Sequence, residues 1–284
     1  MTGRLLYLIV TITFFISASA QEKYPRLIVR GDDMGFAHAG NEALIKCYKE
    51  GIERSVEVIV PSPWFPEAVK MLATEPGLDI GVHLTLTSEW ENVKWRPLTD
   101  CPSLTDSSGY FYPMIWPNKN YPNQALSQRL WKTEEIEKEF RAQIELARKK
   151  IANVSHVSAH MGCSDMNPEI TALVKKLAKE YNIDIDLREL GVRTVGYDGP
   201  SATRDEKLKR FITMLESLKP GETYMFIDHP ALDGPEMRAI YHIGYENVAT
   251  DRQGVTDIIT SADVKAVIER RHIRLISYAD LIKK

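Results

Sequence analysis

The stretch Arg26-Leu27-Ile28-Val29-Arg30-Gly31-Asp32-Asp33-Met34-Gly35 decides the fold. Branched aliphatics run into two adjacent carboxylates, with a glycine two positions later, the pattern of a buried strand that ends in a charged turn. Neighbouring strand residues face opposite sides, but the twist relaxes at a strand end, so Asp32 and Asp33 can both reach one cleft. Two carboxylates that close suit two tasks, one gripping a cation and the other moving protons. The same pair also suits an Asx turn that caps the next helix, and the residues downstream decide between the two readings.

Outward from this strand the periodicity alternates. Helical spacing over 41–51 ends on Gly51; β-branched 55–60 reads as a strand and 66–74 as a helix; 78–87 is a third strand containing Gly81-Val82-His83-Leu84-Thr85. A helix over 133–151, opened by Thr133, precedes a strand over 154–160. Helix 168–181, strand 183–187, a strand-like 192–197, helix 204–218, strand 223–228, helix 261–270 and strand 273–277 complete the pattern. Repeated strand-helix alternation predicts an α/β fold with a parallel sheet, and this many units favour closure into a barrel over an open sheet.

Residues 1–20 read as a signal peptide. Arg4 is followed by an apolar run over 5–16 and by Ala18-Ser19-Ala20 before Gln21. The apolar run is shorter than the ~20 residues of a membrane span, and no cysteine near the cleavage site suggests a lipid anchor, so export to the periplasm or medium without a stable membrane anchor is expected. The remainder, 21–284, suits one domain, because βα barrels commonly run to about 250 residues. With 36 basic against 39 acidic residues and no basic block, a nucleic-acid partner is not expected. Cys47, Cys101 and Cys163 are too few for a disulfide scaffold and follow no metal-ligand spacing. Oligomeric state is open, a homodimer being one option.

The interval 88–132 breaks the alternation. It holds Trp90, Trp95, Tyr110, Phe111, Tyr112, Trp116, Tyr121 and Trp131 among several prolines. An insertion this long is functional or disordered, and its aromatics argue against disorder. It follows a strand and so belongs to the face where barrel active sites assemble. Its aromatic rings, Trp90 and Trp116 first among them, suit stacking on sugar rings; the other use for them is a small satellite core.

Three of the seven histidines stand at strand ends in phase with the Asp pair: His83, His160 in His156-Val-Ser-Ala-His160, and His229 in Phe-Ile-Asp-His-Pro. A single strand histidine is commonly a hydrogen-bonded core residue, but three on separate parallel strands converge on one mouth. Two imidazoles and a carboxylate form a recognised shell for a divalent metal, which Asp33, His83 and His160 can supply. Asp32 is then placed as general base towards a water, and His229, stiffened by Pro230, as general acid towards a leaving amine.

At this combination the chain resembles the YdjC-like carbohydrate deacetylases, among them the chitooligosaccharide deacetylases. The residues that carry the resemblance are Asp32-Asp33-x-Gly35, Gly81-x-His83-Leu84, His156-x-x-x-His160, His229-Pro230 and the final Ile273-Arg-Leu-Ile-Ser-Tyr-Ala-Asp-Leu281. The resemblance implies a distorted βα barrel of the polysaccharide deacetylase type. It also implies a divalent ion, zinc first and magnesium or another ion as alternatives, on one aspartate and two histidines, with Asp32 as base and an acetylated oligosaccharide as substrate. The chain departs from the family pattern at Ser158, where many members are acidic, and at Met161, Gly162 and Cys163, where further histidines are common. His156 reads as a core residue, with support of a metal-ligating residue as the alternative, and His38, His242 and His272 read as structural. Arg252 resembles a late family arginine, with orientation of Asp32 or substrate binding as its expected role. Competing functions are a non-catalytic sugar-binding barrel, hydrolysis of another acylated sugar or amide, a non-haem iron oxygenase, and glycoside hydrolysis.

Overall fold

A computed structural model describes residues 23–282, so the expected signal peptide lies outside the described residues. The strands are β1 (Arg26–Met34), β2 (Ser55–Val58), β3 (Asp79–Leu84), β4 (Val154–Ala159), β5 (Arg193–Val195), β6 (Thr223–Asp228) and β7 (Arg274–Ile276). The helices are α1 (His38–Glu50), α2 (Phe65–Leu72), α3 (Thr133–Lys150), α4 (Pro168–Glu180), α5 (Arg204–Ser217), α6 (Pro235–Arg238), α7 (Val248–Thr260) and α8 (Ala262–Arg270). Every strand pairing is parallel, in the order β4-β3-β2-β1-β6-β5. β1 is the hub: β6 pairs along 26–31, while β7 pairs at 26–28 and β2 at 30–34. Because β7 and β6 match the same β1 residues, β7 must share the opposite edge with β2.

The result is a distorted α/β barrel. The ladder does not close between β4 and β5. The expected strand over 183–187 forms no ladder; instead Ile185, Leu187 and Val192 pack inward on Ile28, Met225, Ile276 and Tyr278. Its alternation is real, but it serves one apolar face without backbone pairing. Apolar residues of α1, α2, α3 and α4 pack with β2 and β3 into the largest core, and those of α5, α7 and α8 cover β1 and β6 on the other side.

Two local expectations change. Thr133 is the first helical residue of α3, not its cap, and its hydroxyl donates to Glu169 Oε1 at 2.7 Å. α7, which the periodicity did not suggest, forms because Val248, Ala249, Val255, Ile258 and Ile259 are buried along it. The interval 88–132 joins the main core through Trp90, Trp95, Leu104, Phe111, Ile115 and Leu126. Among the described residues no helix is long and apolar enough to cross a membrane.

Candidate metal centre and active site

β1 delivers both carboxylates to one side by breaking its own alternation. Its register against β2 shifts between Gly31 and Met34, and Asp33 adopts the left-handed conformation at φ 72°. A bulge adds local twist and re-aims a side chain, and Asp tolerates this conformation better than most residues. Gly31, between Arg30 and Asp32, lies against Leu44 and Glu53, where a Cβ would fall 2.3 Å from Leu44 Cδ2 and 2.4 Å from Glu53 Oε2.

The structure brings Asp33, His83 and His160 together, all three buried, with one donor atom from each lying within 4.8 Å of the others. Asp33 Oδ1 lies 3.5 Å from His83 Nε2 and 3.1 Å from His160 Nδ1, yet it is buried and accepts no hydrogen bond. A carboxylate and two imidazoles whose ligand atoms converge on one point suit a divalent ion. Each imidazole is also held by its other nitrogen: His83 Nδ1 is 2.7 Å from Ser158 Oγ, and His160 Nε2 is 3.1 Å from Glu89 Oε2. Burial pushes the His160 pKa down, but Glu89 and Asp33 outweigh it and carry it up to about 10. Burial pushes the Asp33 carboxyl up, and His160, His229 and Arg252 overturn that, leaving it well below the usual carboxylate range.

Asp32 is held differently. Arg30, two residues earlier and hence on the same strand face, grips it through Nε to Oδ1 at 2.7 Å and Nη2 to Oδ2 at 2.8 Å. Its Oδ2 stands 3.7 Å from His83 Nε2, beside the Asp33–His83–His160 cluster but outside it. Arg252 does not orient Asp32: its Nη2 donates to Asp33 Oδ2 at 2.8 Å, turning the other oxygen towards the histidines. The Arg252 guanidinium lies 4.7 Å from the Phe36 ring and 5.1 Å from that of Trp90. His229, at the end of β6, places Nε2 4.0 Å from Asp33 Oδ2, with its side chain 40 % exposed to the mouth. Its backbone N–H donates to Asp228 Oδ1 at 2.9 Å. Burial pushes the His229 pKa down, but Asp33 and Asp228 raise it above its ordinary value.

The expected sugar platform is divided. Trp90 is only 2 % exposed, packed among Phe36, His242 and Tyr245, so its faces are not open to a ligand and its role is in the core. Trp116 is 46 % exposed, and its Nε1 lies 3.7 Å from where a Cβ on Gly162 would stand, just past His160. His156 is buried as expected, stacked on Tyr278 at 3.6 Å. The residues not anticipated are Arg30, Glu57 and Glu89. Arg30 had a legible signal, an arginine two positions before an aspartate on one strand.

The model of the YdjC-like protein family matches residues 26–270. The chain belongs to the YdjC-like family. This YdjC-like chain is 32% identical over 238 residues to a carbohydrate deacetylase of Thermus thermophilus, covering 75% of this chain and 80% of that one. A carbohydrate deacetylase of Enterococcus faecalis is 28% identical over 272 residues, covering 90% and 98%. Among solved structures, an Enterococcus faecalis protein assigned to cellobiose-phosphate cleavage superposes with TM-score 0.72 at 24% identity, over 91% of this chain and 99% of that one. A CE4 esterase of Streptococcus mutans reaches TM-score 0.51 at 12% identity, over 91% and 86%, which is a likeness of fold.

Proposed function

We propose that the chain is a divalent-metal-dependent carbohydrate deacetylase that removes N-acetyl groups from amino-sugar oligosaccharides. The observation that carries this reading is the buried Asp33, His83 and His160 cluster at the strand ends, with Asp32 on one flank and His229 on the other. The named activity of the related deacetylases supports it. Asp33, His83 and His160 would hold the ion, zinc in the first instance. When bound, such an ion polarises an amide carbonyl and acidifies water.

The rest is done by side chains of this protein. Asp32, fixed by the two hydrogen bonds from Arg30, receives the proton of the attacking water; the grip holds its carboxylate in place and aims it. His229, whose pKa Asp33 and Asp228 raise above the ordinary histidine value and so favour its protonated form, gives its proton to the departing sugar amine. Arg252 holds Asp33 in the rotamer that faces both histidines. Trp116 offers an exposed ring beside the mouth to a neighbouring sugar unit. The signal-peptide pattern over 1–20 supports export as part of this reading.

Acetate release from a panel of N-acetylated and O-acetylated oligosaccharides, with and without a chelator, tests the reading. Chelator-sensitive release from an N-acetylated amino sugar is the expected result. Release that persists after complete removal of metal, or none from any acetylated sugar, contradicts it.

A further inference from the structure

The nitrogen of His83 that faces away from Asp33 enters a largely buried relay that no catalytic role accounts for, with only Ser158 half-buried. His83 Nδ1 meets Ser158 Oγ at 2.7 Å, and Ser158 Oγ donates in turn to Glu57 Oε2. Glu57 is 0 % exposed on β2, and its other oxygen takes His156 Nε2 at 2.5 Å, with Arg30 Nε 3.8 Å away. Arg30 also donates from Nη1 to Tyr278 Oη at 2.7 Å, and Tyr278 stacks on His156. The gripped Asp32 and the ligand His83 are therefore joined beneath the site by one set of contacts. Gly81 leaves room for it: a Cβ there would stand 2.2 Å from Glu57 Oε2 and 2.5 Å from His156 Nε2.

The direction of the relay is fixed by its end. Burial pushes the Glu57 carboxyl up, but His156 and Arg30 overturn this and keep it ionised. A carboxylate only accepts, so the Ser158 hydroxyl must donate to it. The hydroxyl then has only lone pairs left for His83, which must carry its proton on Nδ1. That leaves Nε2, the atom facing Asp33, with its lone pair free.

Resting on the metal-site reading above, we infer that Glu57 is a positioning residue acting through Ser158: it sets the tautomer and orientation of His83 and so preorganises the cation site. The relay reaches the imidazole from the two neighbouring strands, Ser158 on β4 contacting it and Glu57 on β2 contacting Ser158.

Two measurements on the metal-free protein and its zinc complex test this. The first is the His83 tautomer, read from 15N ring shifts without metal; the second is Zn2+ affinity by chelator competition. Wild type is expected to show the Nδ1–H form. Ser158→Ala removes the acceptor, and Glu57→Met frees the hydroxyl to donate backwards and turns His83 to the Nε2–H form; each should weaken Zn2+ binding by roughly 10- to 100-fold, the scale for losing such outer contacts. Glu57→Met combined with Ser158→Asp returns a carboxylate directly to Nδ1 and should recover both the tautomer and, to within about 3-fold, the affinity. A purely structural role predicts lowered melting temperature in the single variants with unchanged tautomer and no recovery in the double. An Nε2–H tautomer in wild type, or Zn2+ affinity in both single variants within about 2-fold of wild type, overturns the inference. Predicted tautomers in a wild-type protein that binds no Zn2+ would uphold the relay and sink the metal reading.

Discussion

Asp32 and Asp33 are neighbours in sequence with different partners, and that difference separates their expected phenotypes. Asp33 bonds Arg252 and faces two imidazoles, whereas Asp32 is taken up by Arg30. Asp32→Asn is expected to keep its metal and lose roughly a hundredfold or more in rate, the scale of a general base. Near-wild-type turnover with normal metal would reduce Asp32 to a turn former. For His229 the sign is that of an acid: the raised pKa keeps it protonated to higher pH than an ordinary histidine, so the rate is expected to fall on the alkaline side, at higher pH than an ordinary histidine would give. His229→Gln should remove this alkaline limb and lower the plateau by about a hundredfold; a limb that survives the substitution belongs to another group. At this scale the sequence revealed the three clustered side chains but not the residues that support them. Asp33, His83 and His160 are legible because strand ends in one phase converge. Glu57 was not, because a carboxylate alternating with valines reads as the wet face of a half-buried strand; inside a barrel that face points inward.

Elements carry the site through close backbone approach, and glycines mark where. Gly31→Ala would drive its Cβ into Leu44 and Glu53 behind β1. A cost of about 1–3 kcal/mol, from overpacking a fully buried position, should appear as a lowered melting temperature. Gly81→Ala meets Glu57 and His156 instead, so it should weaken metal binding more than it lowers stability. Equal and small effects of both substitutions in thermal unfolding and metal titration would show that neither contact is tight. β1 and β6 were legible almost residue for residue because both are buried apolar runs. The segment 183–187 misled because inward alternation marks a face, not a ladder. α7 was missed because its threonines, Gly254 and Asp251 are weak helix formers; burial against its neighbours overrides them.

For the molecule as a whole, the long aromatic interval is more core than platform. Trp90, Trp95, Phe111 and Tyr121 are buried, and only Trp116 among the tryptophans of 88–132 presents a large open face. Trp116→Ala should weaken binding of long oligosaccharides by about 1–2 kcal/mol while sparing a minimal acetylated substrate and the melting temperature. Uniform loss on short and long substrates with a lowered melting temperature would return Trp116 to a packing role. Barrel class and the converging mouth followed from strand-helix alternation, but the open seam between β4 and β5 did not, since ladder closure depends on tertiary register.

Metal content of the purified protein tests the central claim most directly. By elemental analysis the wild type should retain about one divalent ion per chain, as three converging donors predict, and Asp33→Ala, His83→Ala and His160→Ala should each lose it while remaining folded. Full occupancy in any two of these variants would contradict the site, and with it the chemistry assigned to Asp32 and His229.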